Sequence, residues 1–144
     1  MGFITCLFKL KKVMCEKLDK IEKLTNELSG SMEFIDKLLF ALNSSNEGIA
    51  ILDKEGKYIY LNKAHEEMFK YNEGEMLGKT WEILYSDEQV KYFVENVFPE
   101  IAKEGKWNGK DVATAKDGSL VKEIVYLTAL PDGGLVCTCI KDEN

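Results

Sequence analysis

The chain has 144 residues and a mass of 16.4 kDa, and its 45% apolar and 31% charged residues are typical of one globular domain and exclude a disordered chain. The net charge is −6 and all 19 basic residues are lysine, which argues against a nucleic-acid groove. No stretch approaches the ~18 apolar residues that a membrane span requires. Cys6, Cys15, Cys137 and Cys139 have no metal-site or disulfide spacing and indicate a reducing, cytoplasmic protein.

The first predicted element is a long helix with an apolar residue at every seventh position: Leu7, Met14, Ile21, Leu28, Ile35 and Leu42. This repeat predicts supercoiling against a second copy, so the stripe is the candidate dimer interface. Ser29-Gly30-Ser31 interrupts the pattern. We therefore predict a coiled-coil segment over 1–30, helical from 6 to 28, and a second, capping helix over 31–43. A continuous helix with a kink, or one folded back on its own domain, is the alternative.

The beginning of this helix is both apolar and basic. Phe3, Ile4, Leu7 and Phe8 precede a lysine-rich stretch at 9–12. The segment is not a myristoylation site, because Cys6 stands where Ser or Thr is required, and its apolar run is too short for a signal peptide. We interpret it as the start of the helix, with weak association with a membrane surface as the alternative.

The apolar period changes to two after the turn-forming residues 43–46. This change predicts two strands, over Gly48–Leu52 and 57–61, joined by a hairpin turn. Asn62 is a suitable N-cap for a helix over 63–71. Short helical turns follow, and the longest helix of this part is predicted over 87–103, with a kink at Pro99.

The last forty residues predict three strands in a meander, over 107–115, 119–130 and 135–140. Together with the first hairpin they predict an α+β domain over 44–144, with a five-stranded antiparallel sheet and helices on one face. Both faces of the last two strands are apolar, whereas a sheet with one solvated face alternates cleanly. We therefore expect the helix over 31–43, from the same chain or a partner, to cover the outer face.

Short motifs follow one another in a characteristic order along residues 32–142. They are Gly48-Ile49 with Asp53 and Gly56, then Tyr60-Leu61-Asn62-Lys63-Ala64, then Tyr71, Glu75 and Gly78, then Trp107-Asn108-Gly109, Lys116-Asp117-Gly118-Ser119 and Asp132-Gly133-Gly134. In this order they resemble a PAS domain, the sensory module of many histidine kinases and related signalling proteins. Lys70, Lys110 and the final Asp142-Glu143-Asn144 depart from the family's pattern. The ending lacks the lead into an output helix, so we expect a fragment of a larger sensor or a module that acts by binding.

The resemblance implies that the interior holds haem, a flavin, a small organic molecule or nothing. The family's haem ligand is often a histidine of the long helix, but 87–103 contains none, and we interpret His65 as a surface residue. No cysteine lies between residues 16 and 136, so a flavin–cysteine adduct is excluded. Cys137 and Cys139 lack a third ligand, so we predict no metal site and interpret them as small core residues.

No phosphate-binding loop or nucleophile elbow occurs, and a single histidine limits any triad, so we predict no enzyme. The remaining candidate site is an apolar pocket between the sheet and the helices. Its predicted walls are Tyr60, Met68, Trp81, Leu84, Phe93, Val97, Tyr126 and Thr138. The alternative is that these side chains only fill the core.

Two main functions remain open. The first is a cytoplasmic sensory PAS module that forms a homodimer through its N-terminal helix and binds a small-molecule ligand, with the cofactor unknown or absent. The second is a ligand-free interaction or dimerisation module for a signalling protein partner. A non-covalent flavin or haem redox sensor is a minor third hypothesis. We expect neither a nucleic-acid partner nor a transmembrane segment.

Overall fold

The computed structural model describes residues 2–143 and begins with one long helix, α1 (Gly2–Asn43). The two helices predicted on either side of Ser29-Gly30-Ser31 are therefore one uninterrupted element. Ser31 lies within the helix, and its hydroxyl donates to the carbonyl oxygen of Glu27, 3.0 Å away. The chain divides into two compact units, and the boundary lies between Ala41 and Leu42.

The second unit contains an antiparallel sheet. Its strands within residues 2–143 are β1 (Gly48–Leu52), β2 (Tyr58–Leu61), β3 (Lys106–Thr114), β4 (Leu120–Ala129) and β5 (Leu135–Lys141). Their order is β2-β1-β5-β4-β3, so the first hairpin joins the meander of the last three strands through β1 and β5. The predicted α+β fold class, with a five-stranded antiparallel sheet, is confirmed.

A helical layer connects β2 to β3. It consists of α2 (Lys63–Met68), a 3-10 turn (Trp81–Leu84), α3 (Asp87–Tyr92), a π-helical segment (Phe93–Val97) and α4 (Phe98–Glu104). The single helix predicted over 87–103 is thus three consecutive segments. Pro99 accounts for the change, because it has no N–H to donate to the carbonyl oxygen of Glu95.

The core of the second unit lies between the sheet and this helical layer. The side chains that are almost fully enclosed there include Ala50, Phe69, Met76, Leu84, Phe93, Val97 and Val125. In contrast, α1 has no buried residue. Among residues 2–143, no helix combines the length and the apolar character needed to cross a membrane.

Candidate functional site

A fully buried asparagine joins the end of α1 to β1 and α2. Asn62 Oδ1 accepts hydrogen bonds from the backbone N–H groups of Ile49 (2.8 Å) and His65 (3.0 Å). Its Nδ2 donates to the carbonyl oxygens of Leu42 and Glu47, both at 2.9 Å. Asn62, the predicted N-cap of α2, therefore also donates a hydrogen bond to a carbonyl oxygen in the last turn of α1. This side chain connects the end of α1 to β1 of the sheet.

His65 is buried, so its interpretation as a surface residue is wrong. It is 1% exposed and its ring packs against the rings of Tyr58 and Phe69, with centroid distances of 5.7 and 4.8 Å. Gly48 allows this packing, since a Cβ there would lie 3.1 Å from the His65 Cα. Burial lowers the pKa of His65 to about 4, and Nδ1 has no hydrogen-bond partner.

A small cavity of about 30 Å³ lies between the sheet and the helical layer. Its walls are Leu52, Tyr58, Trp81, Tyr85, Phe93, Phe98, Val125, Leu127, Leu135 and Cys137. Aromatic rings dominate its helical side: the Trp81 ring lies 5.4 Å from that of Phe93 and 5.3 Å from that of Phe98. Such clusters of tilted rings pack densely, and a volume of this size holds about one water molecule.

A buried carboxylate lies next to this cavity. Glu123, on β4, is fully buried, and its Oε1 accepts a hydrogen bond of 2.9 Å from the hydroxyl of the cavity wall Tyr85. Its other oxygen, Oε2, is buried without a hydrogen-bond partner. Burial raises the pKa of Glu123, although the Cys139 thiol and the Tyr85 hydroxyl act in the opposite direction. A buried carboxylate with an unsatisfied oxygen is costly in a closed core.

Sequence reasoning missed Glu123, although the period of β4 contains the signal. Residues 121, 125 and 127 face the core, and position 123 belongs to the same face of the strand. A charged residue between apolar ones is easily interpreted as part of the solvent-facing set. Strict alternation identifies it instead as an inward carboxylate.

Two buried thiols, Cys137 and Cys139, lie on the core face of the sheet. Cys137 and Cys139 share one face of β5, as predicted, with their Sγ atoms 3.4 Å apart. The pKa of the Cys139 thiol is raised by its hydrogen bond to Cys137 and by burial. Within residues 2–143, no three His, Cys, Asp or Glu side chains are grouped so that they could hold a metal ion.

The structure brings together only some of the predicted pocket walls. Trp81 and Phe93 line the cavity, and Met68, Leu84 and Val97 are buried in the surrounding core. The other three, Tyr60, Tyr126 and Thr138, lie on the opposite face of the sheet.

The strand register explains this placement. Thr138 pairs with both Tyr126 and Ile49, next to inward-facing Cys137 and Leu127. Tyr60 pairs with Ile51 and lines an open surface groove instead. Cross-strand partners share a face, so these three residues face away from the cavity. The wall residues that were not predicted are Leu52, Tyr58, Tyr85, Phe98, Val125, Leu127, Leu135 and Cys137.

The predicted dimer stripe on α1 lies on the surface of the chain. Leu7, Met14, Ile21, Leu28 and Ile35 are each between 51% and 62% exposed, and Leu42 is half-buried. An exposed apolar stripe of this length is unusual on a monomeric protein, so the stripe stays the predicted dimer interface.

Comparison with known proteins gives a consistent assignment for the second unit. Residues 42–104 match a family model described as the PAS fold. The PAS domain of a protein from Colwellia psychrerythraea is similar, with 18% identity, a TM-score of 0.69 and coverage of 76% of this chain and 97% of that one. The PAS domain of a LuxR-family transcriptional regulator from Burkholderia thailandensis, solved in complex with ethanol, has 17% identity, a TM-score of 0.67 and coverage of 73% and 96%. A domain of a sensory box histidine kinase/response regulator from Geobacter sulfurreducens has 22% identity, a TM-score of 0.63 and coverage of 75% and 95%.

Proposed function

We propose that the protein, whose compact unit has the PAS fold, is a cytoplasmic sensory module rather than an enzyme. In this proposal the interior binds a small polar molecule, and α1 joins two copies into a homodimer. The signal is a change in the packing of the two α1 helices, caused by a ligand that binds one arrangement better than the other.

The observation that carries the proposal is the unsatisfied oxygen of Glu123. A fully buried carboxyl group needs hydrogen-bond partners on both oxygens; Oε1 accepts from Tyr85, whereas Oε2 has no partner of good geometry, although the Cys139 thiol lowers the pKa of the group as a weak hydrogen-bond donor. A ligand with an O–H or N–H group supplies the missing donor. It would also remove the penalty of an unpaired polar atom, which is ~1–3 kcal/mol.

The cavity as it stands holds about one water molecule, so the proposed ligand has only a few non-hydrogen atoms and enters by moving the surrounding aromatic side chains apart. The cavity volume is about 30 Å³, whereas pockets for drug-sized molecules measure ~300–1,000 Å³. Ethanol, with which the Burkholderia thailandensis domain was solved, is a molecule of this class: small, with one hydroxyl donor. We therefore propose a short-chain alcohol, amine or amide as the type of ligand.

Haem and flavin do not fit this interior. The aromatic side chains Trp81, Phe93 and Phe98 occupy the space between the sheet and the helical layer. His65, on α2, is enclosed between the rings of Tyr58 and Phe69. We therefore derive no step through either cofactor.

Asn62 provides the path from the core to α1. It bonds to the sheet at Ile49 and to the last turn of α1 at Leu42, with all four of its hydrogen bonds at 2.8–3.0 Å. A ligand that shifts β1 or α2 thereby also shifts the Asn62 amide that donates to the carbonyl oxygen of Leu42 in the last turn of α1. Buried hydrogen-bond networks of this kind are rigid, because every partner is costly to abandon.

Native mass spectrometry of the purified full chain tests the proposal. We expect a mass of twice 16.4 kDa plus a discrete excess that leaves on collisional activation. Glu123→Gln keeps the volume but removes the carboxylate, so this variant should lose the excess mass. Glu100→Gln is the matched control, since Glu100 is an exposed glutamate of α4, and it should keep the excess. Equal excess mass in both variants would contradict the role of Glu123.

A ligand-free interaction module is the second candidate, and the small volume of the cavity favours it. In that case the core is complete without a ligand and α1 alone defines the function. A bare dimer, together with no saturable rise in melting temperature from short-chain alcohols, amines or amides, would support this candidate and overturn ligand sensing.

A further inference from the structure

The first third of α1 differs in charge from the rest of the chain. Residues 2–15 contain three lysines, Lys9, Lys11 and Lys12, and no acidic residue, whereas the whole chain has a net charge of −6. The next acidic residue is Glu16, after which acids and lysines alternate along the helix. The positive charge is therefore concentrated within about four helical turns.

This segment also carries apolar side chains outside the dimer stripe. Ile4 and Phe8, at positions i and i+4, are 74% and 76% exposed. Lys12 follows Phe8 by one further turn, and Lys11 lies beside them on the helix surface. The predicted dimer contact uses Leu7 and its heptad equivalents instead, so pairing of two α1 helices does not require this second face.

We propose that this face, defined by Ile4, Phe8, Lys11 and Lys12 and supported by Lys9, binds the surface of an anionic lipid bilayer. Amphipathic helices of this composition lie in the membrane interface, with apolar side chains in the acyl boundary and lysines at the headgroups. Lysine stems extend along apolar surface while their ammonium groups stay in water, so Lys11 is compatible with its apolar neighbours. This proposal does not depend on the ligand of the PAS domain.

The chemistry of the face favours lipid over nucleic acid or a protein groove. Isolated bulky apolar side chains such as Ile4 and Phe8 have no partner on a phosphate backbone, and the chain has no arginine for bidentate phosphate contacts. An anionic bilayer has a headgroup layer that attracts the lysines and, directly beneath it, an acyl layer that takes up Ile4 and Phe8. The acidic remainder of the chain is repelled by the same surface, which orients binding through the start of α1.

Vesicle cosedimentation of the full chain tests this proposal. We expect binding to vesicles of phosphatidylcholine with phosphatidylglycerol, little binding to phosphatidylcholine alone, and weakening as salt increases. Each lysine near an anionic surface contributes a factor of about five in partitioning, so the triple variant Lys9→Gln/Lys11→Gln/Lys12→Gln should bind about 100-fold more weakly. Phe8→Gln should also reduce binding at least ~10-fold, because it removes a large apolar side chain.

Matched variants exist on the same helix. Lys17→Gln/Lys20→Gln/Lys23→Gln changes the net charge equally, and Phe40→Gln changes a phenylalanine that is 75% exposed, close to the 76% of Phe8. Both controls should bind like the unmodified chain, with helix content checked by circular dichroism. Absence of binding to anionic vesicles, or equal losses in test and control variants, would overturn the proposal. A Phe8→Gln variant that dissociates the dimer but still binds vesicles would identify this face as a helix contact and would also overturn it.

Discussion

At the scale of single residues, the polar groups that the fold buries are Asn62, His65, Glu66 and Glu123. Each buried polar atom needs a hydrogen-bond partner, and these side chains differ in how many of their polar atoms have one. Asn62 makes four hydrogen bonds, while Glu123 and His65 each keep one atom without a partner. The four hydrogen bonds of Asn62 indicate a structural role, and the unpartnered oxygen of Glu123 is the basis of the proposed ligand.

Removal of the Asn62 side chain should destabilise the compact unit strongly. Asn62→Ala removes the side-chain hydrogen bonds to two backbone N–H groups and two carbonyl oxygens, so the free energy of unfolding should fall by about 3 kcal/mol. Urea denaturation followed by circular dichroism measures this. Asn96→Ala is the control, since Asn96 makes one exposed bond to the Tyr92 carbonyl oxygen, and it should cost much less. Equal losses in the two variants would refute the junction role of Asn62.

His65 should make the protein acid-sensitive. Its folded pKa is about 4, below the ordinary value of 6.5, because burial disfavours the charged ring. The neutral ring therefore contributes stability that is complete above pH 6.5 and is lost as the pH falls from 6.5 to 4, by about 3 kcal/mol in total.

Denaturation curves across this pH range compare the unmodified chain with His65→Gln. The variant is less stable at neutral pH, because it loses packing against Tyr58 and Phe69, but its stability should depend less on pH between 6.5 and 4. Parallel pH profiles for the two proteins would show that His65 does not titrate in this way.

At the scale of elements, α1 is the long helix whose apolar side chains the chain itself leaves exposed. A helix with an apolar stripe along more than 30 residues and no buried side chain of its own gains stability when a second helix covers the stripe. The sheet and the helical layer, in contrast, already cover each other.

A charge placed in the stripe should dissociate the homodimer. Ile21→Glu puts a carboxylate at the centre of the proposed interface, where burial without a partner is costly, so the dimer dissociation constant should rise at least ~10-fold. Analytical ultracentrifugation measures it. Asn26→Glu introduces the same group at a position outside the stripe and should leave the dimer intact. If both variants stay dimeric, the interface lies elsewhere.

At the scale of the whole molecule, the two compact units differ in how they are stabilised. The unit that begins at Leu42 has its own core, its own capped helices and a sheet whose strands are all paired. The unit that ends at Ala41 consists of helix alone. If the proposed function is correct, this division makes the proposed ligand binding and the proposed dimerisation separable, one in each unit.

Deletion of residues 1–41 tests this separation. The remaining chain keeps Leu42, the acceptor of Asn62, and should retain one cooperative thermal transition, because no α1 residue is part of the core. Size-exclusion chromatography with light scattering should give a monomer. A truncated chain that remains dimeric would place the interface on the compact unit.

Local patterns in the sequence were enough to determine the order of the elements. Period-two alternation and turn residues located β1 without error and the other strands within one or two residues, and Asn62 was identified as a cap. These features depend on neighbours in the chain. The seven-residue repeat likewise identified α1, although local propensity suggested a break at Ser29-Gly30-Ser31 that the helix does not show.

Burial on each face was decided only by the tertiary structure. Tyr60, Tyr126 and Thr138 lie on the outer face because of strand register, which depends on residues far away in the sequence. His65 and Glu123 are polar side chains that the fold buries. His65 is enclosed because α2 packs closely against Gly48, and Glu123 because its position on β4 faces the core. Sequence period separates the two faces of an element, but only the packing of the other elements determines which face is covered.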